Sequence, residues 1–197
     1  MSASPPLILA SSSPRRLALL RQAGIEPSRI EAPAVDEAPR LREQPKAHAE
    51  RLAAAKAASV AARAEAEGAF VLGADTVVAC GRRILPKTDE PDDATRCLAL
   101  LSGRRHRVLT GVAVIAPDGR RASRLVTTIV RFKRLSADEI ASYLASGEWR
   151  GKAGGYAIQG RAEAFVRAIN GSHSNVVGLP LADSLDLLRG LGWRPGA

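Results

Sequence analysis

Cysteine is scarce: Cys80 and Cys97 are the only two among 197 residues, and they form no C-x-x-C pair. A disulfide framework is therefore not what holds this chain together, and two reduced thiols in a reducing compartment are expected. Histidine occurs three times, at His48, His106 and His173. The three are too scattered to read as a zinc-type cluster, and each is expected at the surface or in packing. Aromatics make up 4% of the chain. None closely flanks the short arginine knots at Arg82-Arg83, Arg104-Arg105 with Arg107, and Arg120-Arg121. A nucleic-acid binder more often shows a basic stripe with interleaved aromatics, so no stable nucleic-acid partner is expected. Long apolar runs are missing, which excludes a membrane-spanning helix. Met1 to Pro6 lacks the basic and apolar regions of a secretory leader, so the expected compartment is the cytoplasm. There is no internal repeat, low-complexity tract or long linker.

What remains is an ordinary globular composition, 46% hydrophobic and 25% charged. The length suits one domain, or two small lobes around a shared sheet. The net charge is +9, carried by 24 Arg and 5 Lys spread along the chain. That balance favours anionic partners without choosing between a polymer and a small polyanion.

Strands and helices alternate. Leu7 to Ala10 reads as a short buried strand, followed by three serines and a helix over about Pro14 to Ala23. Ser13 can cap that helix, and Pro14 suits its first position because proline needs no partner for a missing N–H. An irregular stretch, Glu31 to Gln44, precedes a long Ala-rich helix over roughly Pro45 to Ala66. Phe70 to Val78 reads as a strand broken by Gly73. A helix is expected over Pro91 to Leu101. Strands over Arg107 to Ile115 and Arg121 to Phe132 are joined by the hairpin signal Pro117-Asp118-Gly119. Ser136 and Glu139 form a capping-box pattern opening a helix to Ala145. A glycine-rich segment, Gly151 to Gly160, leads to a strand over Ala164 to Ile169 and a last helix over Pro180 to Leu188. The order fits a helix-rich α/β domain with a mixed sheet.

Several positions carry chemistry. The Ser11-Ser-Ser-Pro-Arg-Arg16 turn offers backbone N–H groups, hydroxyls and two guanidinium forks at a helix N-terminus, which suits a phosphate. It reads equally well as an ordinary capped helix with surface arginines. Asp75 interrupts an apolar strand, where a carboxylate must be paired, hydrogen-bonded or bound to a metal. Glu37, beside Asp36 and two residues before Pro39, reads on its own as part of a solvated loop. Lys56, a single cation among alanines, reads on its own as a snorkelling helix lysine. Lys87 lies in a turn from which a cation could reach phosphate as a point charge. In Gly151 to Gly160 the glycines would let backbone approach a ligand, or simply make a tight turn into a strand. Gln159 there can both donate and accept, as a base edge requires. The segment matches neither the dinucleotide fingerprint nor the Walker loop.

In chain order these pieces resemble the Maf family of nucleoside triphosphate pyrophosphatases. The matching segments are Ser11-x-Ser13-x-Arg15-Arg16, Val35-Asp-Glu37, Arg51-Leu-x4-Lys56-Ala57 and Gly73-Ala-Asp-Thr76. They continue through Lys87, Leu101-Ser-Gly103, Thr110-Gly111, Lys152-Ala-Gly-Gly-Tyr156, Ile158-Gln-Gly160, Asn170-Gly171 and Val177-Gly-Leu-Pro180. The resemblance runs from about residue 7 to residue 181. It implies hydrolysis of a nucleoside triphosphate to a monophosphate and pyrophosphate with a divalent metal, Mg²⁺ or Mn²⁺. It implies Asp75 as the proton acceptor for the attacking water, with Glu37 and Asp75 as metal ligands. Arg16, Lys56 and Lys87 would neutralise the triphosphate, and Ser11 and Ser13 would position it. Arg15, Thr76 and Gln159 match the branch acting on dTTP, UTP and modified uridine triphosphates. The alternatives are the 7-methyl-GTP branch of the same family and a non-catalytic nucleic-acid or nucleotide binder. The resemblance further implies an elongated, two-lobed α/β fold with a mixed sheet, flanking helices and a central cleft, like inosine triphosphate pyrophosphatases. A homodimer is compatible with it. Three positions depart from the family pattern: Ser12, Pro86 and Thr88, the last two in the loop that aims Lys87.

Overall fold

The computed structural model describes residues 5–63 and 68–195. Its elements are β1 (Leu7–Ala10), α1 (Pro14–Gln22), β2 (Arg29–Glu31), α2 (Pro45–Ala61), β3 (Phe70–Cys80), β4 (Arg83–Leu85), β5 (Lys87–Thr88) and α3 (Pro91–Leu101). They continue with β6 (Arg105–Ile115), β7 (Arg121–Phe132), α4 (Ala137–Ala145), β8 (Lys152–Ala153), a 3₁₀ turn (Arg161–Phe165), β9 (Val166–Asn170), α5 (His173–Val177) and α6 (Leu181–Gly190). This is the α/β architecture with a mixed sheet and flanking helices that the sequence implies. The expected tail of the long helix at 64–66 lies outside the described residues.

The main sheet runs β2-β1-β3-β6-β7-β9, with β4 paired to β3. The pairings of β1 with β2 and with β3 are parallel, and the others are antiparallel. A separate two-stranded ribbon pairs β5 with β8. Helices α1, α2 and α3 each begin on proline, at Pro14, Pro45 and Pro91, where the absent N–H costs no hydrogen bond. Helix α4 has both bonds of its capping box, between Ser136 and Glu139.

Two departures from the expected elements matter for the site. Gly73 does not break β3, which pairs with β6 without interruption from Val71 to Ala79. Gly73 instead makes room for a helix. A Cβ built there would lie 2.7 Å from the Ala53 carbonyl oxygen, and one on Gly111 would lie 2.3 Å from that of Ala49. Helix α2 therefore crosses the sheet at a distance only hydrogen atoms permit, with Ala49, Ala53 and Ala57 against it. The expected strand at Ala164 begins two residues later, after the 3₁₀ turn.

On the opposite sheet face lie two apolar clusters. One gathers Leu9, Leu72, Ala74, Val112 and Val114 with Leu20 and Leu188 from the helices. The other gathers Val78, Val108, Val130 and Phe132 with Leu98, Tyr143, Trp149 and Tyr156. Thr76 and Thr110, cross-strand partners in β3 and β6, stand between the two along these strands.

Candidate active site

The site opens where the sheet has a gap. Strand β1 pairs with β3 only as far as Gly73, and the pairing of β3 with β4 begins at Val78. The β3 edge from Ala74 to Val77 is therefore uncovered. Successive side chains point to opposite faces of a strand. Asp75 consequently meets α2 on one face while Thr76 meets the α1 and α5 side on the other. The carboxyl end of β1 leads directly into Ser11 to Arg16 beside this gap, the place where open α/β sheets put ligands.

On the α2 face, Lys56 Nζ donates to Asp75 Oδ1 at 2.6 Å and lies 2.5 Å from Glu37 Oε1. Lys56 and Asp75 are both about 4% exposed. The snorkelling reading of Lys56 is thus corrected: the close crossing at Gly73 and Gly111 sinks its ammonium into the site. The two carboxylate oxygens that share it lie within about 5 Å of each other. Lys87 donates to the other oxygen of Glu37 from the exposed side. Glu37 accordingly does not sit in a merely solvated loop. Partial burial pushes its carboxyl upward, but the bonds from Lys56 and Lys87 outweigh this and hold it at about 2.

The loop carrying Glu37 is pinned by a residue whose role the sequence did not suggest. Arg51 donates to the Ala38 carbonyl at 3.1 Å and forks onto Glu43 at 2.6 and 2.8 Å. Glu43 also pairs with the buried His48.

On the other face, Arg16 is buried. Its guanidinium donates to Gly178 O at 2.8 Å, Ser11 Oγ at 3.0 Å and Thr76 Oγ1 at 3.3 Å. Burial lowers its pKa, while Asp75 and Glu37 act in the opposite sense. Thr76 also bonds Thr110 at 3.0 Å, and Thr110 donates to Asn175 O. Ser13 stands at the helix N-cap, but its hydroxyl accepts no capping bond; its N–H donates instead to Ser11 Oγ at 3.1 Å. The expected cap is corrected in that respect, and Ser13 borders the cleft.

The ten candidate residues line two adjoining hollows. Ser13, Arg15, Arg16, Asp75, Thr76, Lys87 and Gln159 border one, together with Tyr156, Ile158 and Val177. Ser11, Ser13, Arg15, Arg16, Glu37, Lys56 and Lys87 border the other, a polar basin of 330 Å³. Gly154 and Gly155 serve the fold rather than a ligand. Both have positive φ, and a Cβ on them would meet Val78 at 2.8 Å and Ala94 at 3.2 Å. They seat the 151–160 segment between β3 and α3. Thr88, one of the departures noted above, is fully buried and donates to Trp149 O at 2.9 Å. It thereby anchors the ribbon that presents Lys87.

Among the described residues, no group of three His, Cys, Asp or Glu side chains could hold a metal by itself. Glu37 and Asp75 provide two carboxylates. That donor set fits a hard divalent ion that completes its shell with waters and substrate oxygens.

A family model described as Maf-like protein matches residues 6–191. The chain belongs to the Maf family. A relative from Caulobacter vibrioides named dTTP/UTP pyrophosphatase is 60% identical, covering 99% of this Maf chain and 100% of its own length. Another of the same name from Paramagnetospirillum magneticum is 61% identical, covering 96% of this chain and 98% of its own. Among solved structures, the Staphylococcus aureus Ham1 protein aligns over 64% of the chain and 71% of its own, with 14% identity and a TM-score of 0.46. The ten candidate residues carried by the Maf motifs fall around the gap in the sheet edge and on the α2 crossing beside it, whereas Leu101-Ser102-Gly103 lies away from it, bonded to Lys133 and Leu135. No helix among the described residues is long and apolar enough to cross a membrane.

Proposed function

We infer that this Maf protein hydrolyses nucleoside triphosphates, with dTTP, UTP and modified uridine triphosphates as preferred substrates, to a monophosphate and pyrophosphate. The observation that carries this reading is the pair of carboxylates, Asp75 and Glu37, bracketing one buried ammonium at the edge of a cation-lined basin. A polymer-binding surface needs no such pair of acids around a buried lysine. The names of the relatives at about 60% identity support the same substrates.

In this reading Asp75 takes the proton of the attacking water. The water oxygen bonds to the α-phosphorus, and the bond from that phosphorus to the bridging oxygen breaks, releasing pyrophosphate. Lys56 holds Asp75 in place and, with Arg16 and Lys87, offsets charge on the phosphates; positioning and neutralisation are the main requirements of such chemistry. Ser11 and Ser13 orient the phosphate chain. A divalent ion held by Glu37 and Asp75, Mg²⁺ or Mn²⁺, would lower the pKa of water and screen the phosphates. Arg15, Thr76 and Gln159 border the hollow adjoining the basin, where the Gln159 amide can serve both the carbonyl and the N–H of a pyrimidine edge. The cleft lies between two lobes of one domain, in a cytoplasmic protein that acts on free nucleotides and is compatible with a homodimer.

Pyrophosphate release from dTTP, UTP and 7-methyl-GTP, with and without a chelator, tests this. Release from the first two is expected to stop with the chelator. Asp75→Asn is expected to lower turnover by at least about 10²-fold while nucleotide binding stays measurable. Full activity in that variant overturns the assignment, and preference for 7-methyl-GTP overturns the choice of branch. Salt-sensitive DNA binding without turnover supports a nucleic-acid binder instead.

A further inference from the structure

Two cations beside the basin have no place in the scheme above. Arg150 and Lys152 border the same polar hollow as Ser11 to Ser13, Glu37 and Lys56. They flank Gly151, which turns the chain at φ 64° into β8. Both are held in position. The Arg150 guanidinium lies 5.2 Å from the centroid of the Trp149 ring, and Trp149 is itself buried and bonded through Nε1 to Leu144 O at 2.9 Å. Lys152 Nζ donates to the Arg150 carbonyl at 2.8 Å. The β5–β8 ribbon pairs Thr88 with Lys152, which fixes Lys152 near Lys87.

Their charge is free in a way that of the catalytic lysines is not. Lys56 and Lys87 are both paired with carboxylates. Among the described residues, neither Arg150 nor Lys152 has a carboxylate within ion-pair distance. Arg15 stands close enough to Lys152 that, after burial, it is the next cause lowering the amine's pKa. Glu148 acts on Lys152 in the opposite sense but forms no ion pair with it, and Glu37 in the same hollow is already held by Lys56 and Lys87. Cations without a direct carboxylate partner at a shared hollow suit a multiply charged anion. Arg150 borders only the basin and Gln159 only the adjoining hollow, while Lys152 stands between them and borders both. The arginine is therefore at the end away from the base-reading amide.

We propose that Arg150 and Lys152 bind the pyrophosphate portion of the substrate and hold it as the leaving group. The placement of that portion rests on the pyrophosphatase reading, while the anion site itself does not. When the bond at the α-phosphorus breaks, its electron pair stays on the bridging oxygen of pyrophosphate. Unpaired cations are worth most at the group that gains this charge.

Calorimetric titration of the full chain with inorganic pyrophosphate, and separately with dTMP, tests the proposal. Arg150→Gln and Lys152→Gln are each expected to weaken pyrophosphate binding by at least about tenfold and to leave dTMP binding within about twofold. Lys152→Arg is expected to restore much of the loss, and thermal unfolding checks that each variant is folded. Pyrophosphate binding unchanged in both variants, equal losses for pyrophosphate and dTMP, or no pyrophosphate binding by the unmodified chain overturns the proposal. If the unmodified chain cleaves dTTP and the variants still bind pyrophosphate normally, this inference fails and the pyrophosphatase reading stands. If it cleaves nothing but both variants lose pyrophosphate binding, the reading fails and the anion site stands.

Discussion

Lys56 and Lys87 grip the same carboxylate from opposite environments. The Lys56 side chain is 5% exposed and that of Lys87 is 51% exposed, yet both pair with Glu37. Lys56 hangs from a 17-residue helix pressed onto the sheet. Lys87 hangs from a two-residue strand in a separate ribbon. The inner lysine is therefore part of the fold as much as of the site. The outer one is a rim group that can exchange its carboxylate for a phosphate at little cost to stability.

Removing each lysine separates these roles. Lys56→Ala leaves Asp75 buried without its cation and is expected to cost about 3–5 kcal/mol, read as a large drop in melting temperature together with loss of turnover. Gly111→Ala attacks the same region without touching a charge. Its methyl group would collide with the Ala49 carbonyl, so a loss of about 1–3 kcal/mol is expected, and turnover should fall as α2 lifts Lys56 from Asp75. Unchanged activity in that variant would show that the crossing distance does not matter to the chemistry. Lys87→Ala is expected to move stability by less than about 1 kcal/mol while raising KM for the triphosphate, because exposed pairs contribute little.

Glu37 gives the finest measure. Its carboxyl lies below the ordinary range, so the stability it contributes is present above about pH 4.5 and is lost as pH falls through about 2. In carboxyl NMR titrations without added metal, both Lys56→Gln and Lys87→Gln are expected to raise that pKa. The rise should be larger for the buried partner, and the reverse order would contradict the contrast drawn between the two lysines.

The legible parts of this chain are those with local causes. Proline at the first helical position, the Ser136–Glu139 box and the Pro117-Asp118-Gly119 turn all act within a few residues, and each marks an element that forms. The cluster of candidate residues was legible through its ordered motifs. The burial of Lys56 was not, because it depends on Gly73 and Gly111, 17 and 55 positions away, whose contribution is missing volume. Strands β4, β5 and β8, of two or three residues, carry too few side chains for periodicity to register. Arg51 was visible as part of a motif, but its grip on the Glu37 loop depends on folding that loop back over the helix.

The alanine–glycine crossing also acts as a gauge. On the strand side the layer between helix and sheet admits nothing larger than glycine, and at that spacing Lys56 reaches Asp75 and Glu37. Among natural side chains only arginine carries a longer cation, and it ends in a wide planar fork instead of a compact ammonium. A lineage that thickened this layer by one methyl group would have no drop-in replacement for the lysine. The two glycines, the facing alanines and Lys56 are thus free to change only as a set.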